Sequence, residues 1–214
     1  MPVITISASY GAGGSRIGPA VAERVGGHFV DRAIPAEVAA RLEVPVAEAR
    51  AHDDRASGGL LGILARVPNL SGVVLPEPEN PLFQRETERL IREAAAHGDV
   101  VVLGRAGALV LADHPGALHV RLDGPVDARM RQAMQVEGVD RPEAKRRMRE
   151  TDRARHAYVR HFYGVDARDC AHYHLVIDST ALTLDACVEL IVAGAMGRAP
   201  RARRAPHAAP EASS

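Results

Sequence analysis

The chain has 214 residues, 46% of them hydrophobic and 25% charged, and its 27 basic side chains are balanced by 27 acidic ones. That length buries a substantial core and suits one domain with appendages, while a formal net charge of zero argues against a global pull toward nucleic acid or a membrane surface. Trp is absent and aromatic residues make up 3%, so the core must rest on Val, Leu, Ile and Ala, which suits helices packed on a sheet.

Residues 3–7 form a short apolar run that reads as a strand. It leads into "SASYGAGGSRIG" at residues 7–18, in which Gly11, Gly13 and Gly14 crowd together before Ile17, Ala20, Val21 and Val25 repeat at helical spacing. Pro19 falls inside that helix and is tolerable near a first turn. Residues 28–30 read as a second strand. Residues 55–81 are rich in Gly and Pro around a short apolar run at 60–64, which marks an insertion with a short helix. A helix is expected over residues 82–97, with Leu90, Ile91, Ala94 and Ala95 on one face and Gly98 as its stop.

Strands are expected at residues 100–103, 117–122 and 175–178, several of them continuously apolar, as in a parallel sheet covered on both faces. Asp140-Arg141-Pro142-Glu143 starts a helix that runs to about Phe162: Asp caps, Pro fills the first turn and Glu lies three residues after the cap. Thr183 caps a last helix with Leu184, Cys187, Val188, Ile191 and Ala195 as its apolar stripe. From residue 198 the Pro/Ala/Arg-rich sequence has no apolar period and is expected to be a disordered tail. Strands alternating with helices give an α/β protein with an open parallel sheet.

Three stretches carry chemistry. A glycine loop between a strand and a helix lets backbone N–H groups approach an anion, and the helix adds its positive end. Against the pattern GxxxxGK[ST], Ala8 stands at the first glycine, Gly13 at the second, Gly14 at the lysine and Ser15 at the Ser/Thr. A tight strand-to-helix turn without a ligand remains the alternative. Gly104-Arg105 follows the strand at 100–103, where ligands bind in open α/β sheets, and an arginine there can fork onto a phosphate. Residues 146–162 carry Arg146, Arg147, Arg149, Arg153, Arg155 and Arg160 at helical spacing. Several of these could close over a polyphosphate, although such a stretch also suits a solvated helix face.

Cys170 and Cys187 form neither a CxxC nor a zinc spacing, and the ten His residues form no HxxxH or HExxH pair, so reduced thiols are expected and metal binding by such protein ligands is not. No run reaches signal-peptide or transmembrane character, which makes a cytoplasmic protein the expectation. Nucleic-acid binding by the arginine-rich helix ranks low, because aromatic interleaving is confined to Tyr158, Phe162 and Tyr163.

In order, "ITISASYGAGGSRIG", "HFVDR", "VVLGRAGALVLADHPGALHVRLDGPVDARMRQ", "RETDRAR" and "YHLVIDSTALTLDACVELI" resemble the cytidylate kinase-like family of P-loop nucleoside-monophosphate kinases. The resemblance implies a domain over residues 1–197 with a three-layer fold and a parallel sheet of about five strands. It also implies a monophosphate-binding helical insertion at about 33–97 and a lid helix at about 140–163. The implied reaction transfers the ATP γ-phosphoryl group to CMP or dCMP with Mg²⁺. Gly11, Ala12, Gly13, Gly14 and Ser15 would cradle the donor phosphates, with the Ser15 hydroxyl near magnesium. Asp31, Arg32 and Arg105 would hold the acceptor. Arg149 and Arg155 would neutralise the transferring phosphate, Arg16 could stand in for the missing lysine, and Asp152 would reach a sugar hydroxyl or orient an arginine.

Two positions depart from authentic cytidylate kinases, which carry Lys where this chain has Gly14 and Asp where it has Ala106. The first departure removes a cation from the β/γ-phosphates and the second a polar group from the base pocket. A nucleotide-binding regulatory protein of the same fold, with weak or no turnover, is therefore the second reading. Homo-oligomerisation is left open.

Overall fold

The computed structural model describes residues 2–30 and 81–198. Asp31, Arg32, the stretch at 55–80 and the tail from residue 199 lie outside the described residues.

Strand β1 (Val3–Ala8) is the centre of a five-stranded parallel sheet ordered β2-β3-β1-β4-β5. Its neighbours are β3 (Val100–Leu103) and β4 (Ala117–Asp123), with β2 (His28–Val30) and β5 (Leu175–Asp178) at the edges. Val3 sits opposite both Val100 and Ala117, and the strand pleat divides the residues between two layers. Ile4, Ile6, Val101, Leu118, Val120 and Leu122 pack with helices α1 (Gly14–Val25) and α6 (Leu184–Met196). Val3, Val100, Val102 and Ala117 pack with helix α2 (Pro81–His97). Because both faces are covered, β3 reads as an unbroken apolar run.

Helix α2 belongs to a layer of the sheet, since Leu90, Ile91 and Ala95 are buried against it; the resemblance had counted these residues with the insertion. A four-residue helix α3 (Gly107–Val110) follows β3. Helices α4 (Val126–Glu137) and α5 (Arg141–Tyr163) then form an antiparallel pair beside the sheet. The expected caps form: the Asp140 carboxylate accepts from Glu143 N–H at 2.9 Å, and the Thr183 hydroxyl from Ala186 N–H at 3.1 Å. Pro19 is the sixth residue of α1, beyond the first turn where the sequence reading placed it. A proline there deprives the Ser15 carbonyl of its helical donor, and the helix continues regardless.

Candidate functional site

In a parallel sheet, ligands bind beyond the carboxyl ends of the strands, and here that edge carries the glycine loop. Gly11 and Gly13 have φ of 77° and 75°, left-handed values that suit a residue without a Cβ. The space is also closed. A Cβ on Gly11 would lie 2.2 Å from the Arg129 carbonyl oxygen, and one on Gly13 would lie 2.8 Å from Leu184 Cδ2.

Side chains from elsewhere anchor the first part of the loop, residue by residue. Arg155 Nη1 donates to the Ala8 carbonyl at 2.6 Å, and Arg121 Nη2 to Ser9 Oγ at 3.1 Å. Arg129 Nη1 donates to the Tyr10 carbonyl at 2.7 Å, while Tyr10 N–H donates to Asp152 Oδ1 at 2.8 Å. The buried Ser179 hydroxyl donates to the Ala12 carbonyl at 2.7 Å. By contrast, the N–H groups of Gly11, Gly13, Gly14 and Ser15 have no backbone acceptor among the described residues. The carbonyls are held from outside, and the N–H groups are left for an anion.

The charges around these anchors balance. Arg121 and Arg129 are buried; Arg121 meets Asp123 at 2.5 Å, and Arg129 meets Asp152 at 2.9 Å and Asp123 at 3.4 Å. Burial works to raise the Asp123 pKa, but the Arg121 guanidinium, Gly124 N–H and Ser9 hydroxyl hold it below the ordinary carboxylate value. Burial and the neighbouring Glu137 carboxylate push the Tyr10 phenol upward, so it stays protonated and donates to Glu137 Oε2 at 2.6 Å.

Gly14 does not have a positive φ, yet it is buried. A Cβ there would lie 2.7 Å from Ala8 Cβ and 3.2 Å from Leu103 Cδ1. Ala8 occupies the motif's first glycine position and Gly14 its lysine position, so the methyl of one fills the room that a side chain on the other needs.

The other residues named from sequence are spread more widely. Ser15 and Arg16 are exposed in the first turn of α1. Arg149 is exposed on α5. Arg146 and Arg147 pair with Glu143, Glu137 and Glu150, their neighbours on α4 and α5. Of the arginine run on α5, Arg155 is the member that touches the glycine loop. Arg105 follows β3 in the left-handed region with φ of 56°, and Ala106 does the same with 51°. Such backbone strain gathers at binding sites. Arg105 acts electrostatically on Tyr158, whose phenol burial pushes up. Tyr163 nearby donates to Glu88 Oε1 at 2.9 Å.

Sequence reasoning missed Arg121, Arg129, Ser179 and Gln132. Arg121 carried a signal, a charge inside an otherwise apolar strand. The Gln132 side-chain nitrogen is buried, has no hydrogen-bond partner among the described residues, and lies 3.0 Å from where a Cβ on Gly13 would stand.

The glycine loop after the central strand of a 2-3-1-4-5 parallel sheet, with helices on both faces, defines an α/β protein with a P-loop-type fold. A gluconokinase from Sinorhizobium meliloti 1021 shares the fold with a TM-score of 0.53 at 18% identity, covering 91% of each chain. An uncharacterized protein from Eubacterium ventriosum does so with a TM-score of 0.67 at 18% identity, over 92% of this chain and 100% of that one. The model of the cytidylate kinase-like family matches residues 3–181, and the chain belongs to that family. A cytidylate kinase from Methanopyrus kandleri is 33% identical over 123 residues, which take in 54% of this chain and 64% of that protein. The match therefore spans less than two thirds of that relative's length. Among the described residues, no helix is long and apolar enough to cross a membrane.

Proposed function

We propose that this protein is a nucleoside-monophosphate kinase that transfers the ATP γ-phosphoryl group to CMP or dCMP. The observation that carries the reading is the loop itself: its Ala8, Tyr10 and Ala12 carbonyls are fastened to side chains, while the N–H groups of Gly11, Gly13, Gly14 and Ser15, at the start of a 12-residue helix, have no backbone acceptor among the described residues. Those N–H groups and the positive helix end would receive the donor phosphates. Arg105 and Arg32 would hold the acceptor phosphate by charge-assisted hydrogen bonds, with Asp31 beside them. Phosphoryl transfer needs positioning and charge stabilisation rather than a covalent intermediate. With no lysine at residue 14, Arg155 is the cation best placed to approach the transferring group, because it already reaches the loop; Arg16 and Arg149 would have to swing in from exposed positions.

Magnesium fits as a guest of the nucleotide. The Ser15 hydroxyl is available, and no group of three His, Cys, Asp or Glu side chains suited to a metal occurs among the described residues. Mg²⁺ at such a site sits mainly on phosphate oxygens and water, where it neutralises phosphate charge.

The closed space over Gly14 favours a second reading, a nucleotide-binding regulatory protein whose turnover is weak. A coupled ATP-turnover assay against the common nucleoside monophosphates, run beside ATP and ADP titrations, separates the two. Turnover with CMP or dCMP ahead of the others supports the enzyme. Binding without turnover supports the regulator, and no binding of ATP or ADP at millimolar concentration removes both.

A further inference from the structure

Tyr10 is the third residue of the glycine loop, and it is gripped at three points. Its N–H donates to Asp152 on α5, its carbonyl accepts from Arg129 on α4, and its hydroxyl donates to Glu137 at the end of α4. The grips are linked to one another. One Arg129 nitrogen serves both the Tyr10 carbonyl and Asp152 Oδ2, at 2.7 and 2.9 Å, while Arg147 on α5 donates to the Glu137 oxygen that accepts from Tyr10. Arg129 also donates through Nε to the Gly124 carbonyl at 3.0 Å, which ties the cluster to the end of β4.

The next residue closes the argument. A Cβ on Gly11 would overlap the Arg129 backbone carbonyl, so the loop lies directly on α4 just past Tyr10. Any shift of α5 that carried Asp152 away would leave the Tyr10 N–H without its acceptor and take from the buried Arg129 guanidinium the nearer of its two carboxylates, which is unfavourable. The loop and the helix pair must therefore move together. Both Asp152 oxygens face protein donors in this arrangement, which accords with the second of the two roles that the resemblance implied for it, orienting an arginine, rather than with the sugar contact.

We propose that Tyr10 is the joint through which α5 sets the phosphate loop, with Asp152 and Arg129 as positioning residues, so that nucleotide binding and docking of α5 are coupled. The inference rests on the loop being a nucleotide site. The Asp152 carboxylate holds one end of the loop, which keeps the N–H groups from Gly11 to Ser15 converged. Filling those N–H groups with phosphate in turn favours the docked helix, because coupling between two sites is reciprocal.

The test begins with the wild-type protein. Amide hydrogen exchange is measured with and without Mg·ADP. Slower exchange in α5 around residues 151–155, together with the loop, is expected; slowing confined to the loop overturns the proposal. Asp152→Ala is expected to weaken Mg·ADP binding about tenfold or more, the scale of a lost hydrogen bond to a charged group. Asp152→Asn keeps an acceptor for the Tyr10 N–H and is expected to recover part of that loss, which a general loss of stability would not show. If Asp152→Ala fails to fold, Arg129→Met combined with Asp152→Leu replaces the ion pair by apolar side chains, and the same weakening is expected. Unchanged affinity in a folded variant overturns the joint and leaves the kinase reading standing. A wild-type protein that binds no nucleotide overturns both.

Discussion

The sheet and the α4–α5 pair are held by different forces. Around the sheet, buried Ile, Val, Leu and Ala fill two continuous clusters, one on each face. Between α4 and α5 the apolar contact is small: Met130, Ala144 and Met148, with Tyr10, Met134 and Val139 packed around them. Polar bonds from Arg129, Asp152 and Arg155 tie that pair to the loop, beside the packing of Tyr163 against the apolar cluster around α2. Area burial is non-directional and tolerates sliding, whereas hydrogen bonds to charged groups fix a geometry and fail sharply when one partner leaves. The half of the molecule that must be rigid is built from the first, and the half placed to respond to a ligand from the second.

The largest break in that contrast is expected from Arg129→Ala. It leaves Asp152 and the Tyr10 carbonyl without their shared donor, and breaking such a buried pair costs about 3–5 kcal/mol. Arg146→Ala removes an arginine with comparable ion pairs on the exposed side of the same helix pair and is expected to leave the denaturation midpoint almost unmoved. Equal shifts in a urea titration would mean that the buried network has no special weight.

Gly14→Lys comes next. Its Cβ presses on Ala8 and Leu103, and such overpacking costs about 1–3 kcal/mol. Ala8→Gly combined with Gly14→Lys is expected to regain most of that stability and to raise turnover above wild type, since a cation now meets the phosphoryl oxygens. Thermal melts and single-turnover rates on the three proteins read both effects. A single Gly14→Lys variant as stable as the double variant would dissolve the steric pairing.

A smaller effect tests the sheet. The His119 ring accepts or donates at Thr5 Oγ1 over 2.8 Å and stacks on His174 at 4.8 Å. Burial, then the charges of His174 and Arg198, lower its pKa from 6.5 to about 3, with His114 adding slightly and a backbone contact at Leu111 opposing. The unfolded chain therefore takes up a proton below pH 6.5 that the folded protein refuses. Stability should be complete above pH 6.5 and fall by about 1.4 kcal/mol per unit as the pH drops toward 3. His156, whose pKa is also lowered by burial, acts in the same direction. His119→Gln is expected to flatten the slope of urea midpoints between pH 6.5 and 5. An unchanged slope would show that His119 is not the group excluded from protonation.

The same contrast governs what could be read in advance. The five strands, both helix caps and the apolar stripe of α6 were legible because periodicity and capping are local. Val3, Ile4 and Ile6 announce a buried strand without reference to any other residue. The anchors of the loop were not legible, because each partner lies far along the chain: Arg121 with Ser9 across 112 positions, Arg129 with the Tyr10 carbonyl across 119 and Asp152 with the Tyr10 N–H across 142. An arginine run on one helix shows where cations are but not which one reaches the loop. On α5 the exposed Arg155 is the one that bonds the loop, while Arg146 and Arg147 answer neighbouring glutamates. The lysine gap at Gly14 was visible as an absence; the crowding of that position by Ala8 and Leu103 needed three dimensions.

The account stands most directly on the open N–H groups of the glycine loop, and a calorimetric titration of Mg·ATP into wild-type protein and into Gly13→Ala tests them. Gly13→Ala puts a Cβ against Leu184 and Gln132 and strains a left-handed residue, so it should spoil the cradle; Leu184 also packs on one apolar cluster, and a thermal melt checks that the variant folds. Saturable binding by wild type, lost in a Gly13→Ala protein that still folds, is the predicted result. No binding by wild type at millimolar nucleotide, or equal binding by both proteins, would contradict it.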